Sequence, residues 1–215
     1  MMASLLLFFL LRDLPKQKPI ASKNRPSIFE TIRQMGPILL PLGVYLGLRA
    51  FTFTAMTTYL PIFLTEKGSS LFLAGASLTI FEAGGIVGAM AGGSLSDVLG
   101  RRKVLLASIV ATPALVLLFL ISGQWIRVGL LVLIGFSILS VTPVLMAVVQ
   151  ENYPENRSLA NGSFMTISFV SNAIGMLVIG FAGDRFGLQA TFTVSALLML
   201  LGAPMVALIP GTRPA

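Results

Sequence analysis

Six long apolar stretches, nearly free of charged residues, constrain what this chain of 215 residues can fold into. They cover about residues 38–64, 71–95, 104–122, 128–149, 161–182 and 190–209. Each is close to the roughly 20 residues that an α-helix needs to cross the hydrocarbon core of a bilayer. Charged residues make up only 11% of the chain, which is too few to cover the surface of a water-soluble domain of this size. The sequence therefore predicts an all-α integral membrane protein with a six-helix bundle.

The chain before the first stretch divides into two segments. Residues 1–11 are apolar but too short to span a bilayer, and we interpret them as the end of a truncated transmembrane helix. Residues 12–36 form a basic connector whose three prolines argue against one continuous helix. Within it, the capping-box pattern Ser27–Glu30 predicts the start of a short amphipathic helix at the membrane surface. Residues 37–215 are then expected to form the bundle.

The distribution of Lys and Arg predicts the orientation of the bundle. Eleven of these residues lie in the connector, at positions 101–103, at Arg157 and at Arg213. Only three lie in the turns on the opposite side of the membrane, namely Lys67, Arg127 and Arg185. Because cytoplasmic loops of membrane proteins carry an excess of Lys and Arg, the connector and the C-terminus are predicted to be cytoplasmic. A bacterial inner membrane is the expected location.

An internal repeat supports a division of the bundle into two units. The pattern Gly88-x4-Gly93-x3-Asp97-x2-Gly100 returns 87 residues later as Gly175-x4-Gly180-x3-Asp184-x2-Gly187. An internal repeat of this kind indicates related structural units. Three predicted helices separate the copies, so Asp97 and Asp184 are expected at opposite faces of the membrane. The prediction is two inverted three-helix repeats.

The first copy of the repeat resembles the signature cytoplasmic loop of the Major Facilitator Superfamily. The matching residues are Gly93, Asp97, Gly100, Arg101 and Arg102, whereas Val98 stands where the family usually has a basic residue. The second copy keeps Gly180, Asp184, Arg185 and Gly187 but lacks the final basic pair. The resemblance implies that the chain is the C-terminal half, helices seven to twelve, of a secondary transporter. It also implies that these residues act as a gating latch.

A narrower resemblance involves the fosmidomycin-resistance-like drug exporters. It is carried by Leu48–Ala50, Tyr59–Leu64, Thr142–Val144 and Gln150–Glu151. The function that it implies is efflux of a small organic molecule or drug. Together with the wider resemblance, it makes the missing N-terminal six-helix half, or a second copy of the chain, the expected protein partner.

Two charges inside the apolar stretches are the best candidates for function. Arg49 and Glu82 each lie about eleven residues into their stretches, near the predicted middle of the bilayer. A charge at that depth costs on the order of 2.5–3.5 kcal/mol on insertion scales, so it is a functional candidate by default. Glu82 is expected to take up and release a proton, and Arg49 to bind an anionic substrate group or to control Glu82. The alternative is a structural ion pair between the two helices.

Helical spacing selects further candidates for a substrate cavity. Tyr45, Thr52 and Met56 lie on the same predicted helix face as Arg49. Ser168 and Asn172 form part of a polar patch midway along the fifth stretch. Ordinary packing is the alternative for the first group, and an interhelical hydrogen bond is the alternative for the second.

Glycines that repeat every four residues predict close helix contacts. They form two groups, Gly84, Gly88 and Gly92 on one helix and Gly43 and Gly47 on another. Because glycine has no side chain, this spacing lets the backbones of neighbouring transmembrane helices approach each other. Their expected role is structural.

The composition argues against several other functions. The chain has no cysteine and no histidine, which excludes thiolate or histidine metal sites and Ser-His-Asp catalysis. We therefore expect no enzyme activity, no cofactor and no metal site. No basic face outside residues 12–33 suggests nucleic-acid binding. The function predicted is proton-coupled efflux with a small-molecule substrate, protons and the lipid bilayer as partners. The alternatives left open are a membrane scaffold or sensor, and a sugar or metabolite uptake permease.

Overall fold

The computed structural model describes residues 28–208, and this part of the chain is helical with no β-strand. The predicted end of a truncated helix at 1–11 and most of the connector at 12–36 lie outside the described residues. The helices are α1 Ile28–Thr54, a π-helix Ala55–Tyr59, α2 Leu60–Glu66, α3 Leu71–Leu99, α4 Arg101–Ile121, α5 Gln124–Leu139, α6 Val141–Asn152, a 3₁₀ turn Pro154–Asn156, α7 Arg157–Phe186, α8 Leu188–Leu200 and α9 Ala203–Leu208. Packing is described below for residues 32–208, which belong to one compact unit.

These helices combine into six segments that are long and apolar enough to cross a membrane within the described part of the chain. We call them the first to sixth spans: Glu30–Glu66, Leu71–Leu99, Arg101–Ile121, Gln124–Asn152, Pro154–Phe186 and Leu188–Leu208. The predicted number and order are confirmed, although most spans extend beyond the predicted ends. The helix that begins at Ile28 continues to Thr54, so it does not end as a short helix before the first span.

Two glycine turns join consecutive spans with a single residue. Gly100 lies between α3 and α4 with φ of 91°, and Gly187 lies between α7 and α8 with φ of 81°. Both values fall in the region that favours glycine, because a Cβ atom is disfavoured there. Each glycine also donates its N–H to the carbonyl four residues earlier, that of Ser96 or Gly183. The two copies of the repeat thus form the same local turn, while their inverted orientation stays a prediction.

The core of the bundle consists of two groups of buried side chains. One group includes Leu42, Tyr45 and Leu145. The other includes Phe63 and Phe192, whose rings stack with centroids 5.1 Å apart. The second and fifth spans are the least buried of the six. Their exposed faces are available to lipid, to water or to a partner.

The second and fourth spans cross at very close range. A Cβ atom added to Gly84, Gly88 or Gly92 would overlap the backbone of Val132, Phe136 or Ser140 respectively. The close contact predicted for this glycine series is therefore confirmed. Within residues 28–208 the prediction for the other pair is wrong, because a Cβ at Gly47 would meet no described atom within 4 Å and one at Gly43 would make an ordinary side-chain contact at 3.6 Å.

Candidate functional site

Arg49 is buried where the first span packs against the fourth. Its Nη2 atom donates to the carbonyl oxygen of Ile138 at 2.7 Å and to the Oγ1 atom of Thr142 at 3.2 Å. Its guanidinium carbon lies 5.2 Å from the centre of the Phe53 ring. Its Nε atom has no hydrogen-bond partner in the described part of the chain. The buried charge is thus held by a backbone carbonyl, a hydroxyl group and an aromatic face.

The local sequence of the fourth span explains why this carbonyl is available. Helix α5 ends at Leu139 and α6 begins at Val141, so Ile138 lies in the last turn before a helix end. Carbonyl groups in the last turn of a helix lack partners within that helix. Pro143, in the first turn of α6, also contributes no N–H group. Arg49 supplies a charged donor at this interruption and thereby connects the first span to the fourth.

Glu82 has a different environment from Arg49. It lies on the exposed face of the second span, at the eleventh position after Leu71. Among residues 28–208, no ion pair joins it to Arg49 or to another cation. The hypothesis that Arg49 and Glu82 pair is therefore wrong, because Arg49 is directed to the fourth span instead. Glu82 remains as a carboxylate on an open face.

The predicted cavity residues on the first span lie inside the core. Tyr45, Thr52 and Met56 are fully buried. Thr52 donates its hydroxyl to the carbonyl of Ser195 at 2.8 Å, whereas the Tyr45 hydroxyl has no partner within the described residues. These three side chains join the first span to its neighbours and do not line an open cavity. The packing alternative fits this arrangement because helical spacing alone does not distinguish the core face from a cavity face.

The polar residues of the fifth span are more accessible. Ser168 and Asn172 are half-buried. Ser168 donates to the carbonyl of Phe164, one turn earlier in the same helix, at 2.8 Å. Its hydroxyl is therefore already bonded within its own helix. Asn172 is the stronger cavity candidate of the two because the Ser168 hydroxyl already donates its proton within its own helix.

Arg101 connects the turn after the second span to the end of the fourth span. Its Nη2 atom lies 3.4 Å from the Oδ1 atom of Asp97, and it also pairs with Oε1 of Glu151. The Arg101 side chain is only 11% exposed, so this contact is partly shielded from water. Arg102 is exposed and forms no ion pair among the described residues. Two of the predicted latch residues thus meet, together with a third that was not predicted.

Glu151 was noted in the sequence only as part of the drug-exporter resemblance, and its contact with Arg101 was not predicted. It lies 50 residues from Arg101 in the chain and belongs to no repeat. The predicted orientation could have indicated this contact, because it places Arg101 and Glu151, at the end of the fourth span, on the same cytoplasmic side of the membrane. In the second copy of the repeat, Asp184 and Arg185 are both exposed, and neither takes part in an ion pair within residues 28–208. The latch geometry is therefore found only at the first copy.

Six apolar helices of membrane-crossing length and an ion-paired turn between helix ends are typical of a polytopic α-helical membrane protein. A family model described as Major Facilitator Superfamily matches residues 46–215. The chain belongs to that superfamily, as its sequence resemblance implied. It represents part of the family's domain.

Named relatives fit this assignment. The chain is 30% identical over 152 residues to an uncharacterized MFS-type transporter of Bacillus subtilis, covering 71% of this chain and 35% of that protein. It is 29% identical over 154 residues to the fosmidomycin resistance protein of Escherichia coli, covering 71% and 38%. It is 25% identical over 177 residues to a multidrug efflux pump of Mycolicibacterium fortuitum, covering 81% and 41%. The chain thus spans well under half of these relatives.

Solved structures show the same fold. The E. coli fucose:proton symporter superposes with a TM-score of 0.75 at 20% identity, covering 98% of this chain and 53% of that protein. A peptide transporter in complex with sulfate gives a TM-score of 0.69 at 20% identity, covering 79% and 37%. At this level of identity the match concerns the fold alone. The all-α class and the six apolar helices are confirmed.

Proposed function

We propose that this chain is the C-terminal half of a secondary transporter that exports a small organic molecule in exchange for protons. Family membership supports a transport role, and the names of two relatives, a resistance protein and a multidrug efflux pump, support export. The observation that carries the proposal is Glu82, an exposed carboxylate in the middle of a membrane span. Its task is to bind a proton on one side of the membrane and to release it on the other.

The depth of Glu82 gives the physical reason. Eleven residues of helix correspond to a rise of roughly 16 Å, which is close to half of a hydrocarbon core about 30 Å thick. A carboxylate that faced lipid there would cost on the order of 2.5–3.5 kcal/mol on insertion scales. This cost is avoided if the face of Glu82 lines a water-filled cavity between the two halves of the transporter. A group in such a cavity exchanges protons with solvent as the cavity opens to either side.

Three other features support the proposed mechanism of alternating access. The second and fifth spans are the least buried, so they are the natural surface for the N-terminal half and for the cavity. The contact of Arg101 with Glu151 and Asp97 joins the ends of the second, third and fourth spans, which helps this half to rock as one body. Arg49 is assigned a positioning role, because its donors hold the interrupted fourth span and do not face an open cavity.

The test is transport by the complete protein that contains this chain, reconstituted in vesicles. Two readouts separate proton coupling from substrate handling: accumulation driven by a pH gradient, and exchange of labelled for unlabelled substrate without a gradient. We expect Glu82→Gln to reduce gradient-driven transport at least tenfold and to retain exchange. Glu82→Asp should retain part of both activities, because it keeps the carboxylate.

A matched control comes from the same helical hairpin. Glu66→Gln removes an exposed carboxylate at the end of the first span and should leave both readouts unchanged. Gradient-driven transport by Glu82→Gln at the wild-type rate would refute proton coupling through this residue. Absence of transport by the complete wild-type protein for any member of a broad panel of organic cations, anions and neutral drugs would favour the scaffold or sensor alternative.

A further inference from the structure

A half-open groove of about 310 Å³ lies between the second, third and fourth spans. Its walls are mostly apolar or small side chains, among them Leu95, Leu99, Val104, Ala107, Ala111 and Phe136. Three serines line it, Ser108, Ser137 and Ser140, and each hydroxyl group is already hydrogen-bonded within the protein, that of Ser108 to the carbonyl of Ser137 at 2.7 Å. The groove therefore presents an apolar channel that does not call for a polar ligand along its length.

One end of the groove is positively charged. Lys103 lines the groove near the start of α4, and its side chain is exposed. Arg102 is its exposed neighbour, and neither residue forms an ion pair within the described part of the chain. The nearby carboxylates of Asp97 and Glu151 are engaged by Arg101. Lys103 is thus a cation at the end of an apolar groove, and Arg102 is the exposed cation next to it in the sequence; neither has an ion-pair partner among residues 28–208.

The length of the groove matches one leaflet of a bilayer. From Lys103 to Ala111 helix α4 rises by roughly 12 Å, since each residue contributes about 1.5 Å. Half of a typical hydrocarbon core is about 15 Å thick. The charged end of the groove lies at the start of the third span, where the membrane surface is expected, and the apolar part extends toward the membrane interior.

We propose that this groove binds an anionic phospholipid, with the phosphate held by Lys103 and Arg102 and one acyl chain lying along the apolar walls. Basic pockets between transmembrane helices are known sites for anionic head groups. A lipid without net charge would leave the two cations without a counter-charge, and a small water-soluble anion would leave the apolar walls unfilled. This site is separate from Glu82 and does not depend on the transport reaction.

The experiment is a lipid titration of the purified protein in detergent, followed by native mass spectrometry. Phosphatidylglycerol and phosphatidylcholine with identical acyl chains are compared. We expect phosphatidylglycerol to bind more tightly, Lys103→Gln to weaken its binding about fivefold, and the double variant Arg102→Gln/Lys103→Gln to weaken it about 25-fold, from the usual contribution per basic residue near anionic lipid. Inorganic phosphate at the same concentration should not displace the lipid.

Matched variants test the charge and the groove separately. Arg33→Gln removes an exposed cation outside the groove and should leave the affinity unchanged. Ala107→Phe fills the groove from an exposed position while keeping both cations, and it should weaken binding, whereas Ala107→Ser should not. An equal loss with Arg33→Gln, equal binding of phosphatidylcholine, displacement by phosphate, or unchanged binding by Ala107→Phe would each overturn the proposal. Circular dichroism establishes that the variants are folded.

Discussion

Replacement of Gly88 by alanine tests the close crossing of the second and fourth spans. The added Cβ atom would lie 2.6 Å from the Cα atom of Phe136. Two carbon atoms prefer a separation of about 3.5–4.0 Å. The atom in the way belongs to the backbone, so it cannot rotate aside as a side chain could. The two helices would therefore have to move apart by about 1 Å, which is the difference between these distances.

The expected loss of stability combines two opposing contributions. Overpacking of a well-packed contact typically costs about 1–3 kcal/mol. Replacement of glycine by alanine within a helix returns about 0.5–1 kcal/mol through helix propensity. The net effect is a loss of about 1 kcal/mol, which lowers the unfolding temperature of a domain of 150–250 residues by about 2–4 °C. Once Gly88→Ala has moved the two spans apart, there is also more room at Gly84. Gly84→Ala should therefore cost less stability in the Gly88→Ala variant than in the wild type.

Thermal unfolding in detergent, followed by tryptophan fluorescence, measures this effect. Trp125, the single tryptophan of the sequence, lies in the first turn of α5 on the fourth span and reports on the element that must move. Gly75→Ala is the matched control, because it lies on the same helix and its Cβ would meet no atom of the described residues within 4 Å. This control should raise the unfolding temperature slightly. If Gly88→Ala unfolds at the same temperature as Gly75→Ala, the reasoning from the close crossing is refuted.

Three further predictions concern polar contacts. Arg49→Leu leaves a buried carbonyl of the fourth span without its donor and should lower the free energy of unfolding by about 1–3 kcal/mol. Thr142→Val should lower it by about 0.6 kcal/mol. Equal losses in chemical unfolding would contradict the positioning role of Arg49. Glu151→Gln should lower the unfolding temperature more than Asp97→Asn, because water screens the side chain of Asp97, which is 68% exposed, more than that of Glu151, which is 42% exposed. The difference between the two unfolding temperatures should shrink in 1 M salt. Burial raises the pKa of Tyr153 in the folded protein above its value of about 10 in the unfolded chain. The neutral side chain therefore contributes stability that is fully present below the unfolded pKa and is lost as the pH rises through the folded pKa. The stability advantage of the wild type over Tyr153→Phe should persist at pH 8 and disappear in strongly alkaline buffer.

The spans and the family could be predicted from the sequence because both depend on local patterns. Hydropathy is summed over about 20 neighbouring residues, and the loop around Asp97 and Arg101 is a contiguous motif. The partners of Arg49 could not be predicted in the same way. One of them is the backbone carbonyl of Ile138, 89 residues away, and a carbonyl group is present at every position of the chain. Its availability depends on a helix interruption that Pro143 suggests but does not locate.

Which side chains pack in the core of the bundle also could not be predicted from the sequence. Tyr45 and Met56 share a helix face with Arg49, as predicted, but that face packs against the core of the bundle. All faces of a transmembrane helix are apolar, so apolarity does not show whether a face contacts lipid, the protein core or a substrate cavity. Periodicity therefore identifies which residues lie together and leaves open what they meet.

The contrast between Arg49 and Glu82 gives a physical criterion for assigning charges within spans. Both carry the same default cost of burial in a membrane. Arg49 finds its acceptors inside this chain, so its charge is explained by the fold of the six-helix unit. Glu82 finds no counter-charge among residues 28–208 and lies on an open face, so its charge is explained only by something outside this unit. Water in a cavity or a group on the other half would meet that requirement, and this is the strongest support for our proposal that Glu82 transfers the proton.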